Sequence, residues 1–248
     1  MVRDMENKTL LSVRDLTIGH EGKTLCSSIS FDVCEGDCIM LCGANGSGKT
    51  TLMKDLSGLS DNQSSRTSCI MIPARIPKIS GFTLREFVRV SCFSKSDMYG
   101  KLSGSEEADM EEAIATLGLS HLADRDISTL SDGEFQKAGI ASALVRKASI
   151  IMLDEPTAFL DAENRIIVLN TLRSICDGNC TSTAQSTEDK HKADGGHRPA
   201  IIFSTHDLHD GLQVSTKVFA LGADRRFHCS KDSTPESKAA TVANIFSR

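Results

Sequence analysis

Apolar positions along the chain fall into two kinds of run, and each kind predicts a different element. Residues 38–42, 68–72, 150–153, 200–203 and 218–221 are apolar almost without interruption, the pattern of short strands covered on both faces. Residues 10–18 and 29–33 instead alternate apolar with polar, with Gly19 and Gly22 between them, as expected of an antiparallel β layer with one dry face. Helical spacing takes over elsewhere. A helix is expected from near Thr50 to a stop at Gly58, followed by a polar loop over residues 60–67. Pro73 and Pro77 break the chain before Thr83 and Glu86, which form a capping box and open a helix with Leu84, Phe87, Val88 and Cys92 on one face. Ser103 and Glu106 form a second box, and Gly118 ends the helix it opens near Leu117. Further helices are expected over residues 138–146, over 162–175 with Ile166, Leu169, Leu172 and Ile175 facing the core, and over 235–248. Residues 177–199 show no apolar period and read as a mobile surface loop.

Strands alternating with helices over 248 residues, 40% of them hydrophobic, predict a large α/β unit with an adequate core. The segment of about residues 83–147 reads as a mostly helical insert in it, with an outer surface free for a partner. No apolar run approaches the roughly 18 residues of a membrane span, and the first residues do not resemble a signal peptide. The expectation is a cytoplasmic protein without direct membrane insertion. A net charge of −5 with one Tyr and no Trp gives neither the basic footprint nor the stacking platforms of a nucleic-acid binder. The nine cysteines are scattered through apolar runs and read as reduced core residues. Cys176, Cys180, His191 and His197 are spaced loosely like a zinc site, but the residues between them lack the apolar positions a finger needs, so no zinc is assigned.

The chemistry concentrates where strands end. Gly43, Ala44, Asn45, Gly46, Ser47, Gly48, Lys49 and Thr50 fit G-x-x-x-x-G-K-[ST], directly after a buried strand and before a helix. Glycines let the backbone turn its N–H groups around a phosphate chain; Lys49 reaches the β and γ phosphates, and the Thr50 hydroxyl can ligate Mg²⁺. Asp154 and Glu155 end the strand of residues 150–153, where ligands bind in open α/β sheets. Asp154 can hold the Mg²⁺ shell, and Glu155 can orient or deprotonate water facing the γ phosphate. His206, at the end of the strand of residues 200–203, can reach the same phosphate. Ser131 and Gly133 precede the helix of residues 138–146, placing donors near a helix N-terminus.

The order of these pieces resembles the ATP-binding subunit of ABC transporters over nearly the whole chain. The phosphate loop matches the Walker A motif, Leu130 through Glu134 resembles the LSGGQ signature, residues 150–155 match the Walker B strand and its catalytic acid, Asp161 lies in a D-loop and His206 matches the switch histidine. The resemblance implies a P-loop NTPase of ABC ATPase type in a single domain over residues 1–248, with the antiparallel β layer and the helical subdomain inserted in it. It implies Glu155 and His206 as catalytic residues, Thr50 and Asp154 as Mg²⁺ ligands, and an ATP site made of His20, the phosphate loop and Thr51. It further implies a head-to-tail dimer of two copies, in which Ser131, Asp132, Gly133 and Glu134 of one complete the ATP site of the other. An integral membrane permease would hold the protein at the inner face of the cell membrane. Within the family the motifs look most like bacterial importers of iron chelates, haem or cobalamin.

Three departures qualify that expectation. His20 stands where the family usually stacks a tyrosine on adenine. Asp132 and Glu134 add charge to the signature beside a triphosphate. Ala74 stands where the family places a glutamine that ligates Mg²⁺, and alanine cannot ligate a metal, which leaves open an ATP-gated module with little hydrolysis.

Overall fold

The computed structural model describes residues 8–60, 68–92, 102–178 and 198–246. The alternating N-terminal pattern folds into strands β1 (Thr9–His20) and β2 (Lys23–Cys34), which pair antiparallel in a sheet of their own. Val13, Ile18, Ile29, Phe31 and Val33 are buried on one face of it. The rest of the chain follows as β3 (Cys38–Gly43), α1 (Lys49–Ser60), β4 (Cys69–Ile72), α2 (Leu84–Val90), α3 (Gly104–Thr116), α4 (Asp132–Leu144), β5 (Ile150–Leu153) and α5 (Ala162–Cys176). It closes with β6 (Ala200–Ser204), α6 (Leu208–Val214), β7 (Lys217–Leu221), β8 (Phe227–Cys229) and α7 (Pro235–Ala243).

The second sheet has the order β4-β5-β6-β3-β7-β8, parallel except for β8. Its central strands β3, β5 and β6 are buried at every position because both faces are covered, and they are apolar up to Ser204 at the end of β6. Cys38, Met40, Cys42, Ile151, Leu153, Ile201 and Phe203 point into a core shared with α2 to α5. Their neighbours Ile39, Leu41, Ile150, Met152, Ile202 and Phe219 point into a second core under α1 and the β1–β2 layer. Phe31 meets Phe219 with ring centroids 4.5 Å apart and Phe227 at 5.4 Å, which locks that layer onto the main sheet. β3 lies between β6 and β7, so the loops after β3, β5 and β6 leave the same carboxyl edge near the point where strand order reverses.

The fold is α/β, as the alternation of runs implied. Several boundaries and faces differ from the sequence expectation. α1 runs past Gly58 to Ser60, and α4 starts at Asp132 rather than Ala138. Ile166 is 49% exposed, and Val168 takes the buried place on α5. α6 and β8 were not anticipated: one is seven residues long and the other three, too short for a period to register. Of the cysteines, Cys26, Cys38, Cys42, Cys92 and Cys176 are buried as expected, Cys34 and Cys69 are half-buried, and Cys229 is exposed. Most of the loop expected over 60–67 and over 177–199 lies outside the described residues, as do Cys180, His191 and His197.

Candidate active site

Between β3 and α1 the chain turns through Gly43, Gly46 and Gly48, whose φ angles are 155, 76 and 105°. A Cβ on Gly43 would stand 2.7 Å from the Ser47 hydroxyl and 2.9 Å from the Leu221 carbonyl oxygen; one on Gly48 would stand 3.0 Å from the Ile18 side chain. Glycine is therefore required by backbone conformation at all three positions and by space at Gly43 and Gly48. Lys49 is almost fully buried, and its ammonium donates to the carbonyls of Gly43 at 2.9 Å and Ala44 at 3.2 Å. Burial pushes the Lys49 pKa down, while the Glu155 and Asp154 carboxylates oppose the shift. Ser47 Oγ is buried in the same loop without a hydrogen-bond partner. A buried orphan hydroxyl beside an ammonium is a polar cradle, which suits an anion.

The carboxyl edge brings the acids to this loop. Thr50 Oγ1, one residue beyond Lys49, donates to Asp154 Oδ2 at 2.7 Å. Ser204 Oγ donates to the other carboxylate oxygen of Asp154 at 2.7 Å and accepts the Glu155 N–H at 2.8 Å. Ser204 is wholly buried at the end of β6; the sequence places it on the same sheet edge as Asp154 and Glu155 but assigns it no chemistry. A hydroxyl ending an otherwise apolar strand was the available signal. Glu155 adopts φ 49°, a left-handed conformation uncommon for a non-glycine residue. That turn aims its carboxylate at the β6 edge, where His206 Nε2 lies 2.8 Å from Glu155 Oε1. Both line a cleft of about 620 Å³ with Thr157, Ala158, Arg165 and Asp207.

The Thr50 hydroxyl and the Asp154 carboxylate are hard oxygen donors on adjoining elements, and Mg²⁺ commonly takes one or two such protein groups and completes its shell with phosphates and water. The donor set fits that ion. Among the described residues no group of three or more His, Cys, Asp or Glu side chains could hold a metal by itself, so an ion here would lean on phosphate oxygens.

The remaining site candidates lie apart from this cluster. Ser131 is the N-cap of α4: its hydroxyl accepts the Glu134 N–H at 3.2 Å, while the Glu134 carboxylate takes the Ser131 N–H at 2.7 Å. Glu134 thus completes a capping box. Asp132 pairs with Lys78 at 2.8 Å, and Lys78 also holds the Leu130 carbonyl. Each added acid of this stretch has a local counterpart. Gly133 packs so closely on Leu160 that a Cβ would stand 2.6 Å from that side chain. Asp161 caps α5 through the Asn164 N–H at 2.8 Å. His20 is exposed at the end of β1, two residues from the Ile18 that touches Gly48. Ala74 lines a different groove, of about 340 Å³, with Arg75, Lys78, Gln136 and Phe159.

The capping box has a testable titration. The Ser131 N–H holds the Glu134 pKa below the usual glutamate value. A carboxylate depressed on folding stabilises at pH above its unfolded pKa, and that contribution is lost as pH falls through the lower folded pKa. A carboxyl-carbon NMR titration should place the Glu134 midpoint below 4.5, the reference value, and Ser131→Ala, which keeps that N–H but removes the hydroxyl that also donates to the carboxylate at 2.9 Å, should move it part of the way upward.

A family model described as ABC transporter matches residues 26–158, more than half of the chain. The achromobactin transport ATP-binding protein of Dickeya dadantii is 28% identical over 184 residues, covering 67% of this chain and 68% of that protein. An aliphatic sulfonates import ATP-binding protein of Rhizobium johnstonii is 27% identical over 213 residues, covering 86% and 77%. Among solved structures, a transporter assigned to the metal-chelate type in an inward-facing conformation superposes with a TM-score of 0.77 at 23% identity, covering 96% of this chain and 89% of that one. The matched span runs from β2 through the phosphate loop and the capped helix to the acids after β5, and this chain belongs to the ABC transporter family of ATP-binding, ATP-hydrolysing subunits.

Proposed function

We propose that this chain binds ATP with Mg²⁺ and hydrolyses it to power a bacterial importer, with an iron chelate, haem or cobalamin as the cargo class. The observation that carries the catalytic part is the Glu155–His206 contact of 2.8 Å beside the Thr50–Asp154 pair. Lys49 and the loop amides hold the phosphates, and the Thr50 hydroxyl and Asp154 carboxylate hold Mg²⁺. When bound between Thr50 and Asp154, Mg²⁺ would supply positive charge against the negative charge developing on the phosphate oxygens. Glu155 accepts a hydrogen bond from the attacking water and aligns it, and His206, drawn from Glu155 to the γ phosphate, donates its Nε2–H there. This is catalysis by positioning and electrostatics.

In the same reading, two copies close head to tail over two ATP molecules. Ser131 and Gly133 at the start of α4, with Asp132 and Glu134, face the phosphate loop of the partner copy. The α2–α4 segment, about residues 83–147, docks on an integral membrane permease, which keeps the protein at the inner face of the membrane. No described helix is long and apolar enough to cross a membrane itself. The Dickeya relative is named for achromobactin transport and the Rhizobium relative for the import of aliphatic sulfonates, so the relatives' names leave the cargo class to the proposal. Gentle solubilisation of native membranes and mass spectrometry of what copurifies with the tagged chain tests the assignment: a stoichiometric polytopic permease is expected, and its binding partner narrows the cargo. Reproducible absence of any membrane protein, with ATP binding intact, overturns it.

Ala74 favours one rival, an ATP-gated module with little turnover. Its signature is ATP-driven dimerisation of the wild-type chain with hydrolysis no faster than that of Glu155→Gln.

A further inference from the structure

His206 is itself half exposed, with 49% of its side chain accessible, so packing alone does not fix its ring. Its backbone is gripped from both sides. Thr205, before it, is buried; its N–H bonds to the Leu41 carbonyl, and its hydroxyl accepts the Asp207 N–H at 3.0 Å. Asp207, after it, is the N-cap of α6 and pairs through Oδ2 with the guanidinium of Arg165. The same guanidinium lies 3.9 Å from Asp210 on the first turn of α6. Arg165 stands on the first turn of α5, its N–H bonded to the Asp161 carbonyl at 2.9 Å, and it lines the cleft that holds Glu155 and His206. The chain leaves the site at Glu155, runs ten residues to Arg165, and there turns a cation back onto the residue beside His206. That closes a ring: Glu155, the 156–164 segment, Arg165, Asp207, His206, and the direct contact back to Glu155.

We propose that Arg165 is a positioning residue for ATP hydrolysis, holding His206 in register with Glu155 through the Asp207 carboxylate. Arg165 touches no reacting atom in this scheme. Its guanidinium is only partly accessible, 28% by side chain, and a planar fork that meets one carboxylate closely and a second at longer range constrains direction as well as distance. A lysine, a point charge on a flexible stem, would keep the attraction and lose part of the direction. The inference rests on the reading that Glu155 and His206 carry hydrolysis.

The test measures steady-state ATP turnover of Arg165→Ala, Arg165→Lys and Asp207→Asn beside Glu155→Gln, with the imidazole Cε1–H resonance of His206 followed by NMR and thermal midpoints recorded for each. Expected for Arg165→Ala is a fall in kcat of roughly 10-fold, within the range that a slight misplacement of a catalytic group costs, with KM for ATP changed less than two-fold. The His206 resonance should move, Asp207→Asn should reproduce both effects, and Arg165→Lys should recover part of kcat. Arg165→Lys also guards against a folding artefact, because it keeps the charge and most of the packing. Wild-type kcat and an unmoved His206 resonance in Arg165→Ala, with Glu155→Gln inactive, overturn the inference and leave the function standing. Full turnover in Glu155→Gln overturns the underlying catalytic reading instead.

Discussion

Glu155→Gln is expected to bind ATP as tightly as the parent chain and to lose most of its turnover, roughly 10²- to 10⁴-fold, the range a positioned acid–base group contributes. The substitution is nearly isosteric. It keeps a hydrogen-bond acceptor toward His206, whose Nε2 lies 2.8 Å from the present carboxylate, and it leaves Thr50, Asp154 and Ser204 untouched. What it removes is the charge that orients and polarises water, an interaction worth more in the transition state than in the bound state, so the loss should fall on kcat and not on KM. With hydrolysis blocked, copies closed by ATP should accumulate, which light scattering or size-exclusion chromatography with and without ATP would show. Turnover equal to the parent would remove Glu155 from the mechanism.

Lys49→Ala should do the opposite, strongly weakening ATP binding while sparing the fold. Two or more charge-assisted contacts to phosphate are lost, and a weakening of roughly 100-fold corresponds to about 2.7 kcal/mol. The apo protein should be as stable as the parent or more so, for a reason that follows from the sign of the pKa shift. Burial lowers the Lys49 pKa, so folding disfavours its ammonium form. That penalty is fully present below the folded pKa, fades between the folded and the unfolded pKa, and is gone above the unfolded one. At neutral pH, deleting the side chain removes a destabilising charge, partly offset by the loss of its bonds to the Gly43 and Ala44 carbonyls. Differential scanning calorimetry should therefore find an unchanged or raised midpoint without ATP, and no further rise with it. A strong ATP-induced rise in the variant would show that the loop binds without its lysine.

The two variants would separate binding from chemistry in one site; the acidic stretch of residues 131–134 lies apart from it in the single chain. Asp132 and Glu134 add charge where the family expects none, yet Lys78 answers the first and the Ser131 N–H the second. The extra charge is held within the chain that carries it. Ala74 has no such answer. It faces the groove of Arg75 and Gln136 and not the cleft of Glu155, so in the proposed site it adds no Mg²⁺ ligand to Thr50 and Asp154.

The residues whose roles depend on immediate neighbours were legible in the amino-acid sequence. Strand, glycine loop and helix around Lys49 are contiguous, and the conformations Gly43, Gly46 and Gly48 adopt are set by their own missing side chains. The unbroken apolar runs announced a sheet covered on both faces, and the capping boxes at Thr83 and Ser103 announced helix starts. The box of Ser131 and Glu134 is equally local, yet the sequence expectation sets Ser131 only near the start of a helix opening at Ala138, six residues after the observed start at Asp132. Tertiary structure alone decided the pairings across the carboxyl edge: Thr50 with Asp154, Ser204 with Asp154 and Glu155, His206 with Glu155, Arg165 with Asp207. It also decided that Val168, and not Ile166, faces the core from α5. Periodicity and propensity act over one or two turns of chain, whereas these partners are 42 to 104 residues apart and meet only because parallel strands deliver their ends to one edge.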